Sequence, residues 1–292
     1  MKYVPEPVSV RVPASSANLG PGYDALGLAL AVHDELTVQV LDGHDLQIDV
    51  TGEGDDDLPR DASHLVVQAM DAAFELMGVP RPGLRLSCLN RIPHARGMGS
   101  SSAAIVGGIL LARALVPAGA ELMSDGAAYQ LANDLEGHPD NVAAALFGGL
   151  TIAWVEGAAV DVQRLDVDVP LTLFVPASPV STQLARGLLP ETVPHADAAE
   201  NAGRAALLVA ALLGAPERLI SATEDLLHQP YRASAMPESH ALLRRLRVDD
   251  VPAVISGAGP TVLAFAHGVS DRAPAGWTVH ETSVDEHGAQ VV

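Results

Sequence analysis

Apolar and polar residues alternate from Val8 to Val12, the period of a strand with one buried face, and the signal recurs over residues 35–41 and 46–50. Asp42-Gly43 between the last two is a turn signal, so those strands are expected to pair as a hairpin. Residues 64–76 switch to helical spacing, with Leu65, Ala69, Ala72, Ala73 and Leu76 apolar, Ser63 as expected N-cap and Gly78 with Pro80 as the stop. A β-like run over 84–92 ends at Pro93, and a glycine–serine loop then opens an apolar run, 103–115. That run is apolar on nearly every side until Arg113, which places the helix in the middle of a domain. Gly107 and Gly108 inside it cost about 1 kcal/mol each in helix propensity, which a closely packed neighbouring backbone would explain.

Helices are expected over 127–135 and 142–147 and a strand over 150–155. Residues 157–168 carry little pattern and are taken as the junction between an N-terminal domain, 1–165, and a C-terminal domain, 166–292. The second half shows strand signals at 171–175, 253–256, 262–266 and 277–282, and helical ones at 198–213, 216–227 and 238–247. No repeat or low-complexity segment is visible.

At 48% hydrophobic and 18% charged, the 292-residue chain has the composition of a folded protein, with room for two domains. Only 3% is aromatic, so Ala, Leu and Val must fill the core. The formal net charge of −19 repels nucleic acid and anionic membranes over most of the surface, so neither is an expected partner. Any phosphate-bearing ligand must be held by a local positive field. The single cysteine, Cys88, excludes an internal disulfide and a multi-cysteine zinc site, and is expected to be buried. Residues 1–13 lack the charged and apolar regions of a secretory signal, and runs such as 103–112 are too short to span a bilayer. A cytoplasmic protein is expected.

The stretch Pro93-His94-Ala95-Arg96-Gly97-Met98-Gly99-Ser100-Ser101-Ser102 supplies such a field. Glycines let backbone N–H groups turn toward a ligand, and the first N–H groups of a helix have no partner inside it. Three adjacent hydroxyls add donors or an oxygen ligand for magnesium. The loop is not a Walker A motif, because no Gly-Lys-Ser/Thr follows, and it lacks the third glycine of a dinucleotide fingerprint. Taken alone, Gly-x-Gly-Ser reads better as an ordinary turn capping a buried helix.

Three motifs taken together resemble the small-molecule kinase family named for galactokinase, homoserine kinase, mevalonate kinase and phosphomevalonate kinase. They are residues 12–24 (Val-Pro-Ala-Ser-Ser-Ala-Asn-Leu-Gly-Pro-Gly-Tyr-Asp), the 93–104 loop and Ser256-Gly257-Ala258-Gly259-Pro260-Thr261. Their order and spacing cover nearly the whole chain. Within the family the first motif is most similar to the homoserine kinase branch. Three further segments point the same way: Glu136-Gly137-His138-Pro139-Asp140-Asn141-Val142-Ala143, Ser181-Thr182-x-x-Ala185-Arg186 and His228-Gln229-Pro230-Tyr231-Arg232.

The resemblance implies an α+β fold of two domains, the first like the second domain of ribosomal protein S5 and the second ferredoxin-like, with the site between them. It implies phosphoryl transfer from ATP to the hydroxyl of L-homoserine with Mg2+, and a homodimer, since relatives are often dimers. The alternatives are a kinase of this fold for another small alcohol, such as shikimate or mevalonate, and a non-catalytic binding protein. The nucleotide would be held by Ile92, Pro93, His94, Ala95, Arg96, Gly97, Met98, Gly99, Ser100, Ser101 and Ser102, and the metal by Ser101 and Glu136. Asp24 suits the substrate's amino group, Arg186 and Arg232 its carboxylate, and Asn18 and His138 its hydroxyl end.

Mevalonate kinase-like members place an aspartate where this chain has Asn141, and an amide cannot take a proton. Either Asp140 or His138 serves as general base, or Asn141 and Arg186 position the hydroxyl and its proton passes to the phosphate. The family resemblance favours the second. Two departures stand out: Ala144 where relatives commonly have Pro, and His64 where many have Asn near the adenine.

Overall fold

The structure, a computed structural model, describes residues 3–292. The N-terminal alternation becomes strand β1 (Val8–Ala17), which continues past Pro13 through a register shift and carries the buried residues 12–17 into the middle of a sheet. Next come β2 (Leu26–Leu41), β3 (Leu46–Gly52), helix α1 (Leu65–Leu76) and β4 (Gly83–Asn90). Helices α2 (Ser100–Leu115), α3 (Gly119–Leu122), α4 (Asp125–Glu136) and α5 (Pro139–Phe147) follow, then β5 (Leu150–Glu156) and β6 (Ala159–Leu165).

The sequence expectation for β2 and β3 needs correction. They do not form a hairpin. β3 runs parallel to β4, and β4 lies antiparallel to β2, giving the order β11-β1-β2-β4-β3 once the last strand is added. The chain turns at Gly43 but leaves one strand width open, and α1 supplies the crossover that parallel pairing requires. β4 takes the inner slot because it buries Leu84, Leu86 and Cys88 on one face, whereas β3 buries only Ile48 and Val50. β2 is long enough to pair with β4 through Glu35–Leu41 and with β5 through Leu26–Leu28. Residues 159–165, sparse in sequence signal, continue the sheet as β6 beyond β5.

The second half contributes β7 (Leu171–Val175), α6 (Thr182–Gly187), α7 (His195–Gly214), α8 (Leu219–Ala222), α9 (Gln229–Arg232) and α10 (Pro237–Val248). It ends with β8 (Ala253–Ile255), β9 (Val262–Ala264), β10 (Thr278–Thr282) and β11 (Gln290–Val291). Strands β10-β7-β9-β8 form a second, antiparallel sheet. Two sheets with helices packed on them make the fold α+β.

α2 is the central helix. A Cβ at Gly108 would stand 2.5 Å from the Val66 carbonyl oxygen and 2.9 Å from the Ala69 methyl of α1, so the helix crossing is close enough to require glycine there. Gly107 faces the Leu36 side chain of β2 instead. Two further expectations are corrected. Ser63 does not cap α1; His64 holds the N-cap position, while Ser63 donates through its N–H and hydroxyl to Asp61. The helix expected over 216–227 shortens to α8, because the Thr223 hydroxyl turns back to the Leu219 carbonyl and Asp225 takes the N–H groups of Leu227, His228 and Gln229. Cys88 is buried, and that burial pushes its thiol up to about 12.

The C-terminal segment returns to the first sheet, with β11 beside β1. Asp285 ties it down, accepting from His33 Nε2 at 2.7 Å and from the N–H groups of His287 and Gly288 at 3.0 and 2.7 Å. Burial alone would raise this carboxyl's pKa, but the His33 hydrogen bond and the two N–H donors prevail and hold it below the usual range. A depressed folded-state pKa contributes stability above the unfolded value, and that contribution disappears as pH falls through the folded one. Urea unfolding of Asp285→Asn is therefore expected to show its largest deficit against wild type near neutral pH, with the gap closing in acid. A deficit independent of pH would contradict the assignment.

Candidate active site

Backbone direction organises the loop between β4 and α2. The carbonyls of Ala95, Arg96, Gly97 and Met98 all turn into the protein, accepting from Val180 N, Thr261 N, the Ser256 hydroxyl and Ser15 N at 3.2, 3.2, 2.6 and 3.1 Å. With four successive carbonyls fixed into the protein, the N–H groups face the other way. Among the described residues no backbone N–H from Ala95 to Ser102 donates to a protein acceptor; the first to do so is Ala103, to Gly99 O. Gly97 and Gly99 have φ of 72° and 70°, and a Cβ on either would overlap the Ser256 carbonyl oxygen or the Ser15 hydroxyl. The loop thus presents unpaired donors at the N-terminus of a 16-residue buried helix.

These donors line a cavity of about 280 Å³. Asn18, Asp24, Ala95, Gly97, Met98, Gly99, Ser100, Ser101, Glu136, His138, Asn141, Arg186 and Arg232 all border it, together with Asp140, Gly257 and Ala258. The remaining loop residues do other work. Ile92 is in the core, with its N–H on Asp34 Oδ1 at 2.9 Å. Pro93 ends the run without bordering the cavity, and Arg96 turns its guanidinium to the carbonyls of His94, Pro176 and Ala177, fastening the loop to the end of β7. The Met98 side chain is buried.

The helix C-terminus at Glu136 faces the N-terminus of α2. Ser101 Oγ donates to Glu136 Oε2 at 2.8 Å and Ser102 Oγ to Oε1 at 2.9 Å. A hydroxyl beside a carboxylate is the hard-oxygen pair magnesium accepts from a protein when phosphate oxygens and water complete its shell, so these residues fit the expected metal. Beyond them, buried Asp140 accepts from His138 Nδ1 at 2.9 Å and from the Asn141 N–H at 2.8 Å. Burial would lower the His138 pKa, but the Asp140 hydrogen bond and charge, with the Glu136 charge, outweigh it and raise it. The Ser15 hydroxyl donates to Asn141 Oδ1 at 2.9 Å, which leaves the Asn141 amide nitrogen for a ligand.

The opposite wall carries charge of both signs. Asn18 Oδ1 accepts from Asp24 N and its Nδ2 donates to Gly257 O, both at 2.9 Å, so Asn18 joins the β1–β2 loop to the β8–β9 loop. Asp24 sits 3.9 Å from Arg186 on α6, with both side chains partly exposed. Burial, then the Asp140 charge, raises the Asp24 carboxyl above its ordinary value despite that arginine. Arg232 is buried beneath, over the Tyr23 ring at 5.6 Å. It forms no ion pair within 4.0 Å among the described residues.

A second cavity, of about 200 Å³, shares Ser100 and Ser101 with the first. Its walls include Asp34, Leu58, Leu65, Asn90, His94 and His64. Both ring nitrogens of buried His64 lack a partner among the described residues, and burial lowers its pKa, which favours the neutral ring. Sequence reading passed over Asp34, Leu58 and Asn90. Leu58 directly follows the acidic run Asp55-Asp56-Asp57, and no spacing links Asp34 or Asn90 to the loop.

The geometry can be compared with known proteins. Residues 64–149 match the family model of the GHMP kinases N terminal domain. The chain is 55% identical to a homoserine kinase of Streptomyces coelicolor, covering 98% of this chain and 94% of that protein. The corresponding figure for a homoserine kinase of Clavibacter michiganensis is 50%, over 97% and 93%. The chain belongs to the homoserine kinase family. The solved homoserine kinase of Cytophaga hutchinsonii superposes with a TM-score of 0.83 at 25% identity, covering 98% of this chain and 97% of that one. The homoserine kinase fold therefore extends over both sheets, and the loop described above falls inside the matched kinase segment.

Gly99→Ala tests the loop directly. The added methyl must displace Ser15 or the loop and turn N–H groups away from the cavity. Affinity for an ATP analogue, read by calorimetry, is expected to fall at least about tenfold while circular dichroism stays native. Unchanged affinity would show that these amides do not hold the nucleotide.

Proposed function

We propose that this chain phosphorylates the side-chain hydroxyl of L-homoserine with ATP, giving O-phospho-L-homoserine for threonine biosynthesis in the cytoplasm. The observation that carries the reading is a single cavity whose walls combine the N–H loop, the Ser101–Glu136 oxygens, Asp24, and two arginines. Each group answers one demand of a zwitterionic alcohol meeting a triphosphate. The loop amides hold the phosphates, and the second cavity takes the base, with His64 offering one donor and one acceptor. Ser101 and Glu136 would hold magnesium, which would supply charge neutralisation on the phosphates.

Asp24 receives the ammonium group. Burial, then the Asp140 charge, raises its pKa, and an ammonium group beside it would favour the charged carboxylate. Arg186 and Arg232 take the carboxylate. A buried guanidinium without a carboxylate is costly, and the ligand removes that cost when it binds. His138 and the Asn141 amide orient the hydroxyl.

Neither Asp140 nor His138 serves as base in this arrangement. Asp140 Oδ1 already accepts two hydrogen bonds, and His138, with its raised pKa, is a donor at Nδ1 toward Asp140. Positioning supplies the rate, and the hydroxyl proton leaves with the transferred phosphoryl group. The division into a nucleotide-holding part, 1–165, and a ferredoxin-like part, 166–292, belongs to this reading.

No helix among the described residues is long and apolar enough to cross a membrane, in keeping with a freely diffusing substrate. The test is ADP release on a panel of alcohols. Homoserine should turn over at least about a hundredfold better, by kcat/KM, than shikimate or mevalonate, which lack the α-amino group. Preferred turnover of either would overturn the reading.

A further inference from the structure

The site described so far does not explain how Arg232 is held. It is a buried cation with no carboxylate in reach, at the end of the one-turn helix α9. Arginine has five rotatable-stem donors to place, and a guanidinium that turned its fork elsewhere would lose its fit to a carboxylate. One turn earlier lies His228, fully buried, outside the cavity wall, and facing Arg232 at i+4.

The hydrogen bonds define the state of that histidine. Arg232 Nη1 lies 3.1 Å from His228 Nδ1, and a guanidinium can only donate, so Nδ1 must be an unprotonated acceptor. Nε2 lies 2.8 Å from the Gly20 carbonyl oxygen and therefore carries the hydrogen. The ring is neutral, in one tautomer, locked at both ends. Burial lowers its pKa in the same sense.

The anchors of this ring are themselves fixed. Asp225 takes the N–H groups of residues 227, 228 and 229, which holds the start of α9. Gly20, at φ 78°, sits against the Thr223 carbonyl and the Val254 side chain, so its oxygen has a set direction. The Tyr23 ring packs on both His228, at 5.3 Å between centroids, and Arg232. Arg232 Nε donates to the Ala185 carbonyl at 3.3 Å. Only Nη2 then has no protein acceptor among the described residues, and Arg232 borders the cavity.

We infer that His228 is a positioning residue for the substrate carboxylate: by accepting from Nη1 it aims the Nη2 edge of Arg232 into the cavity, and so makes the enzyme selective for alcohols that carry a carboxylate. This rests on the homoserine reading above. The ring lies outside the walls of both cavities described above.

The test uses the full-length protein and the variants His228→Ala, His228→Gln and His228→Asn. Asn places an acceptor where Nδ1 was; Gln reaches toward Gly20 but leaves Arg232 unaccompanied. For Ala and Gln, KM for homoserine is expected to rise about tenfold or more, the scale of losing a hydrogen bond to a buried charge, with KM for ATP and kcat within about twofold. Asn should recover most of the loss.

The inhibition constant of 3-aminopropan-1-ol, which lacks the carboxylate, should stay within about twofold in every variant. A homoserine KM unchanged in Ala and Gln would overturn the inference. So would parallel weakening of the carboxylate-free alcohol, or an Asn variant no better than Gln. If His228→Ala fails to fold, the Gln-against-Asn contrast decides alone. Wild-type protein that leaves homoserine untouched would instead defeat the functional reading, and this inference with it.

Discussion

Four carbonyls turned into the protein, away from the cavity, make the rest of the site possible. A loop holding a triphosphate in a protein of net charge −19 needs positive potential that does not come from side chains. Here Ala95, Arg96, Gly97 and Met98 give their oxygens to Val180, Thr261, Ser256 and Ser15. Those acceptors' partners lie on the first strand, on the β8–β9 loop and before α6. The direction of the N–H groups is therefore set by elements from both halves of the chain. Arg96, the cation nearest in sequence, reinforces this by tying the loop to residues 176 and 177.

That dependence explains the placement of the other groups. The β1–β2 loop brings Asn18 and Asp24 to one side of the cavity, and Asn18 bridges it to Gly257. The junction of α4 and α5 delivers Glu136, His138, Asp140 and Asn141 at the opposite side. Glu136 lies beside the serines of the loop, while Asp24, Arg186 and Arg232 cluster at the far end, the arrangement a zwitterion requires if its hydroxyl is to face the phosphates.

Much of this was legible in the chain. The Gly-x-Gly-Ser-Ser-Ser stretch marked its own anion site, because only glycine tolerates the φ values and close contacts found at 97 and 99. The crowding at Gly108 was likewise written in a glycine inside an apolar helix. Other features depend on pairings that local pattern does not encode. The Asp42-Gly43 turn reads as a hairpin, yet β4, 40 residues later, has the more apolar face and displaces β3 from β2. β11 is two residues long and is a strand only because β1 offers an edge. Asn18 read as a substrate ligand; it borders the cavity, and it also links the Asp24 N–H to the distant Gly257 carbonyl, a bridge no local pattern encodes. Of the second cavity only His64 was read, because Asp34, Leu58 and Asn90 come from separate segments.

Hydrogen exchange of the loop amides, followed by NMR, measures the central claim most directly. The amides of Gly97, Met98, Gly99, Ser100, Ser101 and Ser102 should exchange rapidly in the free protein. They should become strongly protected on adding magnesium and a non-hydrolysable ATP analogue, while the amides of Val180, Thr261 and Ser15 stay protected throughout. Loop amides already protected without nucleotide, or unaffected by saturating nucleotide, would contradict the account.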